Sequence, residues 1–534
     1  MRLDLAAGLI ASLLLQDAIS TEQTAPGTLP SARIVASFDG LGFGFEGPQG
    51  TATFRNPSDN TLAVGRDQVF QIVNSRMAIF TRSGRPLYGP VPTNTMFKGF
   101  GGACETFNNG DAVVRYDQFA DRWLLVMPIF RRGQPRSDVQ PVGTAGGPAI
   151  VSTPGRPDQP GPAAPLFVPP AGVTPPAPPP AGTGPYGMCY AVSETRDPLG
   201  RWYRYEFLRP LFPDYPRPAI WPDGYYVPTS TSDDRISPTV ATQKHACVVE
   251  RDKLLKGKPA REQCVILENT NFLNNADIDG KAMPPKGAPN IMMAAGGRQL
   301  DTLLADRVIN VWQFHVDWND PAKTRVTGPS PIPVEPYRYL CGGQLTRCVP
   351  QPGTEQRLDS QGDKLMARLV YRRIGKQESI LATHSINTSN GGGGVRWYEF
   401  RVDSHRNVTL YQQGTYLADG NYRWMASGAM DKFGNIGFGY SFGGSSNFTG
   451  QRFAGRAPGD RLGQLTFAEA ILAEGEAAQV GTAPEWRNLR WQDYTQAAMD
   501  PVDDCTIWYV GDYFKKGATF YSTRIGAFRM PGCR

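Results

Sequence analysis

The chain has 534 residues, of which 40% are hydrophobic, 19% charged and 11% aromatic, which is enough apolar material for a large folded core. Its 55 basic and 49 acidic residues are spread along the chain and give a net charge of +6. The sequence contains no Lys/Arg block of the kind that neutralises a row of phosphates, which argues against a nucleic-acid partner. With 59 Gly and 47 Pro, the composition favours turns and short strands over long helices.

Residues 1–20 are predicted to be a secretory signal peptide. Arg2 gives a weakly positive start, Leu5 to Leu15 form an apolar segment too short to span a bilayer, and Ala18-Ile19-Ser20 offers small residues for cleavage. An N-terminal helix that lies on the fold is the alternative. Because no later segment is apolar for long enough to cross a membrane, we expect a secreted protein, extracellular or periplasmic, with no membrane span.

A hairpin pattern recurs along residues 21–534. An apolar strand runs into an Asp or Gly turn and then into a second, aromatic-rich strand, as in the first two strands of a β-propeller blade. We therefore predict an all-β fold, a single β-propeller domain of seven blades with four antiparallel strands each; six or eight blades are the alternatives. The predicted blade starts are Leu62–Val73, Ala112–Phe130, Trp221–Thr229, Asn290–Ala295 continuing to Val308–Val316, Leu365–Ser385, Ser427–Phe442 and Gln496–Phe514.

The last predicted blade has only three strands, and the segment Arg33–Phe38 is a suitable fourth. An open blade edge would expose unpaired backbone groups, so we expect this N-terminal strand to pair with Phe520–Met530 and close the ring. An outer strand elsewhere in the fold is the alternative.

Residues 133–185 form a Pro-rich, low-complexity segment that includes Pro175 to Pro180. It has little apolar surface to bury and favours extended conformers. Because it falls between Trp123–Phe130 and Tyr186–Ser193, predicted as strands two and three of blade two, we interpret it as an insertion in that blade. A disordered loop is expected, and a lid over one face is the alternative.

Eight cysteines form an even set without a Cys-x-x-Cys pair, which predicts disulfides. A zinc site would need closer ligand spacing and more than the four histidines present. The predicted pairing is sequential: Cys104–Cys189, Cys247–Cys264, Cys341–Cys348 and Cys505–Cys533.

Two groups of side chains are candidates for a chemical role, one with carboxylates and a histidine and one with carboxylates alone. Glu378 and His384 share one face of a predicted strand because side chains alternate along it, and with Asp493 they could act as acid and base on a polysaccharide. A structural role for the histidine is the alternative. Asp277 and Asp279, in a predicted loop, supply the oxygen ligands that Ca²⁺ prefers, so structural calcium is possible, although turn-capping carboxylates explain them equally. No other cofactor is expected.

A repeated stretch near the C-terminus carries the candidate ligand-binding residues. Arg423-Trp424 followed by Ala429-Met430-Asp431 is echoed by Arg490-Trp491 followed by Ala498-Met499-Asp500. By the strand assignments, Arg423, Arg490, Asp493 and Tyr494 lie before first strands, on the face where propellers gather their loops. The repetition also fits a structural interpretation, in which each Arg pairs with a neighbouring Asp and each Trp packs between sheets.

The segment Thr195–Trp202 is similar to the Asp-box turn of sialidase-type propellers, although its Gly is displaced by one residue. More broadly, the chain resembles a poorly characterised family of secreted bacterial propeller proteins, from about Asn56 to Cys533. The matching motifs are Cys189–Thr195, Leu211–Tyr215, Trp221–Tyr226, Arg396–Glu399 and Asp500–Cys505. The resemblance implies the fold and carries no known chemistry.

The sialidase-type resemblance also suggests that Arg396, Arg423 and Arg490 could hold a ligand carboxylate, as an arginine cluster does in sialidases. The nucleophile pair and the acid Asp of sialidase chemistry could not be identified in the sequence. Two functions therefore remain: non-catalytic binding of an extracellular saccharide or protein on the loop face, which we favour, and a carbohydrate-active hydrolase or lyase.

Overall fold

In the computed structural model of the protein, the described residues are 21–130, 150–151, 186–209, 211–230, 243–296, 306–343, 347–481 and 489–533. The signal peptide and nearly all of the Pro-rich insertion lie outside these residues, so both remain predictions. No helix in the described part of the chain is long and apolar enough to cross a membrane.

The regular structure is almost entirely β, which confirms the all-β prediction. Its recurring unit is a group of four strands that are mostly consecutive and antiparallel. Sheet A contains Thr61–Val64, Gln68–Val73, Arg76–Thr81 and Pro86–Pro92, and sheet B contains Val113–Asp117, Arg122–Ile129, Tyr186–Ser193 and Trp202–Arg209. Sheet C contains Ala219–Trp221, Gly224–Tyr226, Gln243–Val249 and Glu262–Glu268, with the short strands Thr229–Ser230 and Ile150–Val151 added to it.

The second half of the chain repeats this unit. Sheet D contains Asn274–Asp279, Asn290–Ala295, Asp306–His315 and Arg325–Tyr337, and sheet E contains Leu369–Ile374, Gln377–Asn387, Gly393–Val402 and Val408–Tyr416. Sheet F contains Tyr422–Met430, Ile436–Gly444, Asn447–Arg456 and Ala470–Ala473, and sheet G contains Gln496–Met499, Thr506–Tyr513, Ser522–Arg529 and the N-terminal Arg33–Asp39.

Short elements complete the fold. They are the strand Glu22–Gln23, which pairs in parallel with Val408–Tyr416, the hairpin Val349–Gln351 and Thr354–Leu358, the α-helices Gly102–Thr106 and Arg251–Leu254, and the 3₁₀ helices Thr93–Phe97, Pro321–Lys323 and Leu340–Gly343.

The N-terminal strand pairs as the sequence predicts. Arg33–Asp39 lies antiparallel to Ser522–Arg529, with Arg33 opposite Arg529 and Asp39 opposite Arg524. Sheet G is thus built from both ends of the described chain, and the edge of its C-terminal strand is covered.

The prediction for the start of sheet D was wrong. Its first strand is Asn274–Asp279, whereas the sequence predicted a loop there and placed the start at Asn290–Ala295. The first strand pairs in parallel with Leu369–Ile374 of sheet E and is buried throughout. Its Asn and Asp side chains concealed it, because a search for apolar alternation cannot find a strand whose buried residues are polar.

The first strands of the sheets lie beside one another. Contacts join the first strands of A and B, C and D, D and E, E and F, and F and G, and the first strand of G also contacts that of A. Between B and C, Nε of Arg115 donates to the Pro218 carbonyl at 2.9 Å. Residues that precede these strands are therefore brought close together.

Apolar side chains fill the spaces between neighbouring sheets. Trp397 of sheet E packs against Phe438 of sheet F with ring centroids 5.9 Å apart, and Phe453 of F stacks on Phe528 of G at 3.9 Å. The Trp residues of the repeated stretch are both buried, as the structural interpretation of the repeat requires. Such aromatic burial is a main source of stability.

All four predicted disulfide pairings are present: Cys104–Cys189, Cys247–Cys264, Cys341–Cys348 and Cys505–Cys533. Four disulfides fit an extracellular protein, because thiols stay reduced in the cytosol.

Removal of Cys104–Cys189 is expected to be more damaging than removal of Cys341–Cys348. The first bond links residues 85 apart and the second links residues 7 apart, and a longer closed loop restricts the unfolded chain more. Replacing both Cys104 and Cys189 by Ala should lower the free energy of unfolding by ~2–5 kcal/mol. The measurement is denaturant unfolding of this double variant and of a second one in which Cys341 and Cys348 are both replaced by Ala. A larger loss of stability in the second variant would contradict the prediction.

Candidate functional site

Five aspartates meet where the first strands begin, and we call them the mouth cluster: Asp59, Asp111, Asp214, Asp359 and Asp493. Four of them precede first strands, those of sheets A, B, C and G, and Asp359 follows the strand Thr354–Leu358. The group thus comes from segments far apart in the sequence.

Residues with a left-handed backbone conformation recur just before these first strands. Asp59 and Asp111 have φ of 45° and 54°, and Tyr215 and Gln492 have φ of 55° and 54°. Asp tolerates this conformation better than most residues because its short side chain hydrogen-bonds locally. Asp59, Asp111, Asp214 and Asp359 were not among the residues predicted from sequence. Their signal was weak but present, since Ser58-Asp59-Asn60 and Gly110-Asp111 immediately precede predicted first strands.

One half of the mouth cluster is a chain of carboxyl groups. Asp59 is hydrogen-bonded to Asp111, and Asp111 in turn to Asp214. Two carboxyl groups can share a hydrogen bond only if one of them carries a proton. The backbone N–H of Tyr215 also donates to Oδ2 of Asp111 at 3.4 Å.

The other half of the mouth cluster is organised by Arg490. Its Nε donates to Oδ2 of Asp359 at 2.7 Å, and its Nη2 donates to Asp493. Gln361 links the same two carboxylates, since its Nε2 lies 3.1 Å from Oδ2 of Asp359 and 2.9 Å from Oδ1 of Asp493. The guanidinium and the amide thus hold Asp359 and Asp493 beside each other.

Burial raises the pKa values of several carboxyl groups in the mouth cluster. For Asp59, Asp111 and Asp214, burial is the largest cause of a pKa well above the ordinary value, and the neighbouring carboxylates add to it. Burial also raises the pKa of Asp359 to about 7, although Arg490 opposes this. Asp359 is therefore partly protonated near neutral pH.

Aromatic and basic side chains lie behind the carboxyl groups. The rings of Tyr215 and Tyr494 meet edge to face with centroids 4.9 Å apart, and the hydroxyl of Tyr215 donates to the Asp493 carbonyl at 2.6 Å. The Arg217 guanidinium lies 3.9 Å from the centre of the Tyr215 ring. Burial lowers the pKa of Lys244 to about 7, against the opposing effect of the nearby Asp214.

The mouth cluster keeps an unused polar atom and is open to solvent on one side. Among the described residues, the buried hydroxyl of Tyr494 has no hydrogen-bond partner. The side chains of Arg490 and Asp493 are 29% and 15% exposed. The site therefore offers donors, acceptors and a route of access.

Of the residues predicted from sequence, Arg490, Asp493 and Tyr494 come together in this site. Arg423 does not share their partners: it is buried and bound to Asp419 and Glu469, each at 2.8 Å. Arg396 is buried as well. Its Nε donates to Thr415, and its Nη1 to the Glu335 carbonyl at 3.1 Å. The three arginines thus have separate partners and do not form one carboxylate-binding group.

His384 and Glu378 lie on the predicted strand but in separate buried environments. His384 is fully buried, with Nε2 2.9 Å from the Tyr398 hydroxyl, and burial lowers its pKa well below the ordinary value. The carboxylate of Glu378 accepts from the Tyr371 hydroxyl and from Arg406, each at 2.6 Å. These contacts are structural, and none of them involves Asp493.

Asp277 and Asp279 lie on the first strand of sheet D, and both carboxylates bind one arginine. Nε of Arg368 lies 2.7 Å from Oδ2 of Asp277, and its Nη2 contacts Asp279. Arg115 is 3.4 Å from Asp277 on the other side. A calcium ion at this pair would have to displace the Arg368 guanidinium.

Comparisons with known proteins give distant structural similarities. No protein-family model and no curated protein matches the chain. Among solved structures, it is similar to an ulvan lyase of a polysaccharide lyase family (10% identity, TM-score 0.32, covering 91% of this chain and 92% of that one) and to the intramolecular trans-sialidase from Ruminococcus gnavus (10%, 0.36, 78% and 94%). A Dyadobacter fermentans protein of unknown function is 11% identical, with a TM-score of 0.35, over 94% of this chain and 100% of that one. At these TM-scores, the similarities assign neither a fold nor a function to the chain.

Proposed function

We propose that the protein is a secreted seven-bladed β-propeller that binds a saccharide at the mouth cluster. Sheets A to G correspond to the blades, and the N-terminal strand in sheet G joins the last blade to the start of the chain. Support for the ring comes from the contacts of first strands, which run from sheet to sheet and return from G to A. In such a ring the starts of the first strands face one opening.

The observation that carries the proposal is the set of carboxyl groups gathered around Arg490 at this opening. Sugar hydroxyls both donate and accept hydrogen bonds. The partly exposed Asp493 can accept from them and the partly exposed Arg490 can donate, while buried Asp359 holds the Arg490 guanidinium in place. An aromatic ring such as Tyr215 offers an apolar surface behind these polar groups. Binding requires no further chemistry, which agrees with the function favoured from the sequence.

A carbohydrate-active enzyme is the second candidate, and one observation favours it. Burial raises the pKa of Asp111 well above its ordinary value, and a carboxyl group with a raised pKa can act as a general acid beside a second carboxylate. In this case the acid comes from the mouth cluster, and His384 takes no part because it is buried and bonded to Tyr398.

The expected result is that mouth variants lose saccharide binding. The purified protein is screened against immobilised neutral and acidic glycans, and the affinity for each ligand found is measured for Asp493→Asn and Arg490→Gln. Removing a charge that contacts the ligand should weaken binding by about tenfold or more. Asp121→Asn, at an exposed carboxylate paired with Arg66, is the matched control. Equal affinity in all three variants would contradict the proposal, and release of shorter saccharides from a bound glycan would favour the enzyme.

A further inference from the structure

A second groove lies at the other end of the strands from the mouth cluster, between sheets E and F. It has a volume of about 300 Å³ and is lined by Ile374, where the first strand of E ends, and by Met430 and Ile436, on either side of the first turn of F. The mouth cluster, in contrast, lies where first strands begin. The two sites are therefore separate.

Two exposed aromatic side chains border this groove. Tyr411 is 44% exposed and Phe433 is 54% exposed, which is unusual for large rings that could pack inside the fold. The Arg401 guanidinium lies 4.0 Å from the centre of the Tyr411 ring and holds it in place. Rings fixed at a groove edge offer flat apolar surfaces to a ligand.

A buried cation lines the groove without an ionic partner. Arg456 is 1% exposed, and in the described part of the chain no carboxylate lies within ion-pair distance of it. Its Nη1 donates to the Gln412 side chain, its Nη2 donates to the Asp460 carbonyl at 2.8 Å, and its Nε has no hydrogen-bond partner. Burial lowers the pKa of Arg456, since desolvation of its charge is not fully compensated.

Two carboxylates near Arg456, those of Glu399 and Asp460, only partly offset the desolvation of its charge. Glu399 binds Arg401 and also accepts from Nε2 of Gln412 at 2.5 Å. Gln412 thus lies between Glu399 and Arg456, and among the described residues Arg456 has no direct ion pair. A ligand that completes this site needs an anionic group for the guanidinium and an apolar face for the rings.

We propose that this groove is a binding site for a uronic-acid saccharide, independent of the mouth cluster. The sugar carboxylate binds Arg456, and the C–H faces of the sugar rings pack against Tyr411 and Phe433. A neutral sugar of the same linkage can make the second contact but not the first.

The test compares two matched trisaccharides by isothermal titration calorimetry of the full-length protein. The β-1,4-linked glucuronic acid trimer is expected to bind at least about tenfold more tightly than cellotriose, because only the uronate provides charge-assisted hydrogen bonds. Tyr411→Ala and Phe433→Ala should each weaken uronate binding by about tenfold. Both side chains are exposed, so these variants should fold, and an unchanged melting temperature verifies this.

Three further variants decide the assignment. Arg456→Gln should reduce the uronate affinity to that of cellotriose, whereas Val502→Ala, at an exposed apolar residue outside both sites, should leave it unchanged. Asp493→Asn separates this site from the mouth. Uronate binding that persists in Asp493→Asn and weakens by about tenfold in the two aromatic variants supports the groove. The inference would be overturned if uronate binding were lost in Asp493→Asn alone, if the two trimers bound with equal affinity, or if the uronate did not bind. Loss of uronate binding in Asp493→Asn alone would still support the mouth cluster as a binding site, whereas the other two outcomes would not.

Discussion

Replacing Arg368 by Met is expected to lower the free energy of unfolding by ~3–5 kcal/mol, because it removes the ion pair of buried Asp279 and leaves Asp277 with its longer ion pair to Arg115. Arg368 is 8% exposed and binds both Asp277 and Asp279, which are 3% and 4% exposed. Burial alone would lower the pKa of Arg368, but the two aspartates outweigh this and raise it. Met retains much of the side-chain volume, so the loss measures the ion pairs more than a cavity.

The matched control for Arg368→Met is Arg66→Met, in an ion pair whose side chains are 49% and 31% exposed. Exposed ion pairs contribute less than ~1 kcal/mol, so the urea unfolding curve of Arg66→Met should barely shift from that of the wild type. Urea unfolding followed by circular dichroism measures both variants. Equal losses for the buried and the exposed pair would show that Asp277 and Asp279 do not depend on Arg368.

The second large effect is expected at Asp512, whose carboxyl group lies beneath the mouth cluster. Burial raises its pKa to about 8 from 3.8, although Ser58 and Asn60, the residues on either side of Asp59, hydrogen-bond to it. Between about pH 4 and about pH 8 the folded state therefore holds a proton that the unfolded state releases. The stability that Asp512 contributes is complete below pH 4 and is lost as the pH rises through 8.

Asp512→Asn should remove this dependence, because the amide is neutral at every pH. As the pH rises from about 4 to about 8, the stability of the variant relative to the wild type should increase by ~2–4 kcal/mol. Above about pH 8 this difference should not increase further. The comparison cancels the contributions of other titrating groups, such as Lys244 and His384. Denaturant unfolding of both proteins across this range is the measurement. A difference that does not change with pH would mean that Asp512 titrates normally.

The sequence was sufficient for features that depend on local pattern. Hairpins such as Met430–Ile436 have a turn glycine between strands of alternating residues, and such patterns predicted where most of the four-stranded sheets begin. Cysteine order was enough to pair all four disulfides. The unpaired edge expected after Phe520–Arg529 led to the correct partner for Arg33–Phe38.

The sequence was insufficient where polar residues are buried together. Asn274–Asp279 could not be identified as a strand, since its inward side chains are polar and are satisfied by Arg368 and other distant residues. The mouth cluster was only partly predicted for the same reason. Arg490, Asp493 and Tyr494 stood out through the repeat, but the carboxyl groups of Asp59 and Asp111 gain their properties only from one another.

His384 shows what a spacing rule leaves out. A histidine and a glutamate on one strand face satisfy a spacing rule for catalysis, yet the sequence does not reveal what covers that face. In the fold, Tyr337 and Tyr398 enclose the imidazole, with Tyr337 at a centroid distance of 4.6 Å. A spacing rule identifies a shared face, but burial decides whether that face can reach a substrate.

Hydrogen–deuterium exchange of the protein, with and without a saccharide identified in the glycan screen, tests the central claim most directly. The claim is that segments distant in sequence form one binding mouth. On ligand addition, amide exchange should slow together in the segments 58–61, 110–113, 359–363 and 489–496. Slowing in only one of these segments, or only on other surfaces of the protein, would contradict the claim.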